Sequence, residues 1–149
     1  MKRTLLVCFS AFLMFSGCKE EGPHLKDTLS YRANFSVNTV PITAQSEGSG
    51  TAALEYSKET GLLKYNLSLR DVKPTKVVIA FGDPNPWDIG PEIADISSEI
   101  TENGGSGSLS LDPYLQREKL LSNYCYIRID SEKFPYGELR GQIELVEEE

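Results

Sequence analysis

The chain has 149 residues, a net charge of −7, 40% hydrophobic residues and 25% charged residues. That length carries one ordinary domain, and the composition is that of a globular chain rather than a disordered one. The acidic balance argues against a nucleic-acid binder, which needs a basic surface to release counterions from phosphates. The first residues distort these totals. Met1-Lys2-Arg3 is a basic start, and Thr4 to Phe15 is almost unbroken apolar sequence. The run falls short of the ~20 residues that span a bilayer. A basic region before a short apolar one is the pattern of a secretory signal.

Phe15-Ser16-Gly17-Cys18 follows. It resembles a bacterial lipobox, in which the cysteine after two small residues is lipidated and becomes the mature N-terminus. Phe15 stands where that pattern usually has an aliphatic residue. The resemblance implies lipid on Cys18 and attachment to a membrane of the cell envelope. The other reading is an ordinary signal peptide cut near Gly17. Removing residues 1–17 leaves 132, and the loss of Lys2 and Arg3 takes the charge from −7 to −9. Cys8 leaves with the signal and Cys18 is taken by lipid. Cys125 is then the remaining thiol, so the exported domain must fold without a disulfide. Residues 18–27 read as a polar tether. Lys19-Glu20-Glu21 resembles the Lys/acidic signals that send some Bacteroidetes lipoproteins to the cell surface, although a solvated linker accounts for the same residues.

Residues 28–146 read as the folded domain, and 147–149 as an acidic tail. Leu29, Tyr31, Ala33, Phe35 and Val37 alternate with polar residues, which predicts a half-buried strand. Pro41 to Gly50 is a polar connection. Ala52, Leu54 and Tyr56 alternate, Ser57 to Gly61 forms a hairpin loop, and Leu63, Tyr65, Leu67 and Leu69 return. Lys76 to Phe81 is apolar on both faces, as expected of a central strand. Gly82 to Pro91 is a Pro/Gly/Asx loop. Ile93 to Ile96 is a short strand, Thr101 to Gly105 a turn, and Gly107, Leu109 and Leu111 alternate after it. Asp112-Pro113 predicts the start of a helix running to about Leu121. Tyr124 to Asp130 is a strand with Cys125, Ile127 and Ile129 on one face; its Tyr124, Tyr126, Arg128 and Asp130 face reads as solvated or as a sheet edge. Leu139, Gly141, Ile143 and Leu145 alternate in a last strand. Eight or nine short strands and one short helix predict an all-β fold, an antiparallel β-sandwich or a flattened Greek-key barrel.

The stretch Tyr126 to Ile143 contains Pro135-Tyr136-Gly137-Glu138-Leu139-Arg140-Gly141-Gln142. It resembles the end of the CHRD (chordin) domain family, which typically closes on Pro-x-Gly-Glu-Ile-Arg-Gly-Gln. Tyr31 to Phe35 with Val40-Pro41, Gly50-Thr51-Ala52, Thr60 to Tyr65, Gly82 and Gly90-Pro91 are similar to its earlier blocks, so the resemblance covers about residues 28–145. Family members commonly carry His-x-His before the middle loop and a His in the penultimate strand. The corresponding positions here are Val78, Ala80 and Asp130. His24, in the tether, is the chain's single histidine. Any imidazole metal site or histidine base that the resemblance would suggest is missing from the domain.

Pro135 and Gly137 suit a tight turn, and Gly141 a bulge or a close backbone approach. Glu138 and Arg140 lie two apart and can pair with each other or with neighbouring strands. The main reading of this run is structural; contact with a partner through Glu138 and Arg140 is the other. Asp83, Asp88 and Asp95 are oxygen ligands in a Gly/Pro-rich region and are the weak candidates for Ca²⁺, although Asx residues are ordinary in turns. Trp87, between Pro86 and Asp88, can anchor a partner or stack on a sugar. Cys125 reads as a core thiol, with no histidine in the domain to activate it. The expectation is a lipid-anchored extracytoplasmic binding or scaffold module without catalysis or cofactor, at the bacterial outer membrane or cell surface. Its expected partners are an envelope protein or a glycan. The alternative is a Ca²⁺-type binding protein or an enzyme using carboxylates of the 83–95 loop.

Overall fold

Alternation along Thr28–Phe35 makes strand β1, with Leu29, Tyr31, Ala33 and Phe35 turned inward and Ser30, Arg32 and Asn34 outward. The computed structural model describes residues 26–39, 44–82 and 89–146. β2 (Ser49–Ser57) and β3 (Leu62–Arg70) form the expected hairpin, in register from Ser49 opposite Arg70 to Tyr56 opposite Leu63. Gly61 closes its loop at φ 68°, a left-handed conformation that glycine adopts without strain. β4 (Pro74–Phe81), β5 (Glu92–Asp95), β6 (Gly104–Ser110) and β7 (Cys125–Ser131) follow.

With β8 (Leu139–Gln142) and β9 (Glu144–Leu145), the strands of the described residues form two antiparallel sheets, ordered β6-β3-β2-β1-β9 and β5-β4-β7-β8. The all-β sandwich is as expected. Leu54, Tyr56, Leu63, Leu67, Val77, Ile79, Ile127 and Ile129 meet between the sheets as a single hydrophobic cluster. The strand predicted over 139–145 differs from expectation. It divides into β8 (Leu139–Gln142), paired with β7, and β9 (Glu144–Leu145), paired with β1. The break is at Ile143, whose side chain is fully buried and whose N–H donates to the Cys125 carbonyl at 2.9 Å. Its inward alternation is intact; only the neighbouring strand changes. The predicted helix also starts later. Residues 113–115 form a turn, and α1 covers Gln116–Leu121. Asp112 therefore caps that turn and not the helix, whose N-cap position is Leu115: its carboxylate accepts the N–H groups of Tyr114 (3.0 Å) and Leu115 (2.9 Å), and the Gln116 side chain accepts the Asp112 N–H.

The connections gather at two ends. At the entry end lie Asp27, the 58–61 turn, the α1 segment and both stems of the 82–91 loop. At the far end lie residues 36–39, 44–48, 71–73, 96–103 and 132–138.

Candidate functional site

Strand β4 is buried on both faces: Val77 and Ile79 face the core, and Val78 and Ala80, on the opposite side, are also fully buried. The neighbouring β7 continues this covered outer surface with Tyr126, Arg128 and Asp130. Their exposures of 0, 7 and 3% correct the solvated face expected from the sequence. The physical reason is that each polar group has a partner within the fold, so burial leaves none of them stranded.

Arg128 stands directly opposite Arg140 on β8, a like-charge pairing that would by itself be unfavourable. The two guanidinium groups diverge. Arg128 turns along its own strand, donating from Nε and Nη2 to the two Asp130 carboxylate oxygens at 2.8 and 3.0 Å, and from Nη2 to Glu92 at 3.3 Å. Glu92 in turn accepts from Lys76 Nζ at 2.7 and 2.9 Å. Arg140 instead lies over the Tyr126 ring, 3.7 Å from its centroid. Lys76, Glu92, Arg128 and Asp130 thus form a chain of alternating charge across three strands. The Lys76 hydrogen bond holds the Glu92 carboxyl below the usual carboxylate range. Burial opposes the charge on Arg128, but the hydrogen bond and charge of Asp130 outweigh it and raise its pKa.

The same face anchors two loops. Tyr126 Oη accepts the Gly90 N–H at 3.0 Å; Phe81 N–H reaches the Pro91 carbonyl at 3.1 Å and Gly82 N–H the Tyr124 carbonyl at 2.8 Å. Both stems of the segment carrying Trp87 are therefore fixed; Trp87 itself, like Asp83 and Asp88, lies outside the described residues. At the other end Glu138 accepts the Ser46 hydroxyl, and Ser46 Oγ accepts the Gly48 N–H at 2.9 Å, tying residues 44–48 to β8.

Glu138 and Arg140 thus take different partners, Ser46 and Tyr126, and are 6% and 2% exposed. The rest of their motif is also structural. Gly137 has φ 123° in the turn before β8. A Cβ on Gly141 would lie 2.7 Å from the Phe35 ring and 2.8 Å from the Asn34 carbonyl, so the close approach expected there is present. Asp95 accepts the Ser97 N–H at 3.0 Å and its hydroxyl, and these bonds lower its pKa. Among the described residues, no three His, Cys, Asp or Glu side chains are grouped to hold a metal ion. Cys125 faces the core as expected. Burial, partly offset by Lys119, pushes its thiol up to about 12, so it is protonated at neutral pH and a poor nucleophile.

Sequence reasoning missed the Arg128–Asp130–Glu92 chain and the Ser46 contact. The available signal was β4: a strand apolar on both faces implies that its neighbour is covered on both faces too.

The family model of the CHRD domain matches residues 31–143. The chain belongs to the CHRD domain family. No curated protein and no solved structure matches it. In this CHRD domain the three positions tied by resemblance to histidines, Val78, Ala80 and Asp130, all lie on the outer side of the β4–β7 pair. There the place of imidazoles is taken by two small apolar side chains and one carboxylate committed to Arg128.

Proposed function

We propose that the chain is a lipid-anchored extracytoplasmic binding or scaffold module that performs no catalysis. CHRD membership suggests a binding or scaffold role. The observation that carries the reading is the use of the buried polar groups: Tyr126 holds the stem at Gly90, Glu138 holds Ser46, and Arg128 holds Glu92 and Asp130. A catalytic constellation presents such groups to a substrate; here they are turned into the fold and fix the bases of its loops. Small-small-Cys at Ser16-Gly17-Cys18 supports attachment through Cys18, and Lys19-Glu20-Glu21 supports export to the outer membrane or cell surface. Trp87 is the proposed contact for an envelope protein or glycan.

Two measurements test this reading. Cys18→Ser should abolish metabolic labelling with palmitate and move the protein from the membrane to the soluble fraction; a labelled, membrane-bound variant overturns the anchor. Trp87→Ala should leave the melting temperature unchanged while reducing retention of the purified domain on isolated envelopes. Equal retention removes Trp87 from the contact.

A further inference from the structure

The end at which the chain enters the sandwich also carries an exposed apolar patch. Asp27 accepts the Lys58 N–H at 2.8 Å, Thr28 pairs with Ser57, and the Leu111 N–H reaches the Gly61 carbonyl at 2.9 Å. The start of β1, the 57–61 turn and the approach to α1 therefore lie side by side. From there the segment crosses to β7, placing Leu120 in the core. On its outer side Tyr114 is 84% exposed, Leu115 53% and Tyr124 42%. Lys119 follows Leu115 by one helical turn, and its ammonium sits 5.3 Å from the Tyr124 ring centroid and 5.7 Å from that of Phe81. A cation is thus held between aromatic rings at the margin of an uncovered apolar surface.

We infer that this patch, formed by Tyr114, Leu115, Lys119 and Tyr124, docks on the bilayer to which the lipid tethers the chain. The inference rests on the proposed anchoring of Cys18. Nine residues, 19–27, separate that cysteine from β1, and fully extended they reach about 30 Å. The far ends of the eight-residue strands lie about 27 Å beyond the entry end. The patch is therefore at the tethered end, and the far end meets lipid only if the tether runs almost fully extended past the domain. Tethering over this distance gives an effective concentration of order millimolar, so a contact of a few side chains suffices. The patch has four side chains, far fewer than the roughly 20–30 residues a side of a stable protein–protein interface, which disfavours a second copy or a soluble partner. Its chemistry suits headgroup depth. Tyrosine combines an apolar ring with a polar tip, and a lysine stem lies along apolar surface while its ammonium reaches phosphate. Arg117 and Lys119 are balanced by Asp112 and Glu118 in the same segment, so docking should not require anionic lipid.

The test couples the mature chain, residues 18–149, through Cys18 to a maleimide lipid in vesicles of phosphatidylethanolamine and phosphatidylglycerol; Cys125, 1% exposed, is spared. Amide hydrogen exchange is compared with the same chain capped at Cys18 and mixed with the same vesicles. Coupling should slow exchange across residues 112–124 by about fivefold or more, leave residues 132–138 unchanged, and lose its effect in Leu115→Glu. Unchanged exchange over 112–124, or equal slowing at both ends, overturns the docking. Because the attachment is chemical, that result is independent of whether cells lipidate Cys18, which the palmitate labelling of Cys18→Ser decides separately.

Discussion

The outer faces of the two sheets are built from the same alternation and end in opposite states. On the β1–β2–β3 sheet, Ser30, Arg32, Glu55, Lys64 and Asn66 stand exposed around the small Ala53, leaving a shallow groove of about 490 Å³. On the β4–β7–β8 sheet, Tyr126, Arg128, Asp130 and Arg140 occupy equivalent outward positions and are buried. Polar residues at every second position therefore establish which way a side chain points, not whether water meets it. What separates the faces is the partner set: the second face has a forked ion pair and an arginine on an aromatic ring, and the first leaves its polar side chains exposed, where water is their partner.

The largest expected effect breaks that partner set. Asp130→Ala leaves the buried Arg128 without its forked acceptor and should lower stability by about 3–5 kcal/mol, read from urea denaturation. Lys64→Ala, on the open face, should leave the midpoint where it was; comparable losses from the two variants would erase the contrast. Next, Gly141→Val drives a side chain into Phe35 and Asn34 and should cost about 1–3 kcal/mol. Replacing both members of the pair, Arg128→Met with Asp130→Leu, should recover most of what Asp130→Ala loses, since no lone charge then remains. A double variant as unstable as the single one would mean that the ion pair itself, not the stranded charge, matters.

The pH dependence is smaller and has two limbs. The Glu92 pKa is depressed, so its contribution is present above the unfolded value of 4.5 and is lost as pH falls through the lower folded value. Lys76→Ala should shrink that acid limb. Burial raises Cys125 and Tyr31 from 9.0 and 10.0 to about 12. Their contribution is complete below pH 9.0 and is lost as pH rises toward about 12. Cys125→Ala should delay the onset of this alkaline loss to the tyrosine range. The smallest expected effect is that of millimolar Ca²⁺ on the melting temperature, which should not move; a rise would revive the carboxylate reading of the 83–95 loop.

Much of the architecture was legible because inward positions alternate strictly with outward ones. Leu63, Tyr65, Leu67 and Leu69 could only be one face of a strand, and Gly61 marked the turn before them. The division of the last strand was not legible, since Leu139, Gly141, Ile143 and Leu145 point inward whichever sheet they join. The site was readable in part. The turn at Gly137 and the close approach at Gly141 followed from residue type, and Cys125 from its alternation with Ile127 and Ile129. The partners of Glu138 and Arg140 did not, because Ser46 lies 92 positions from Glu138 and local spacing carries no information about it.

The strand that passes from one sheet to the other at Ile143 has a consequence for biogenesis. β8 covers one edge of β7 and β9 one edge of β1, so both sheets are completed by the single segment 139–145. A nascent chain that has not yet delivered Leu139 to Leu145 has two open edges, each able to pair with another copy. Closure of the two sheets is thereby coupled through one short segment, whose release would expose both edges together.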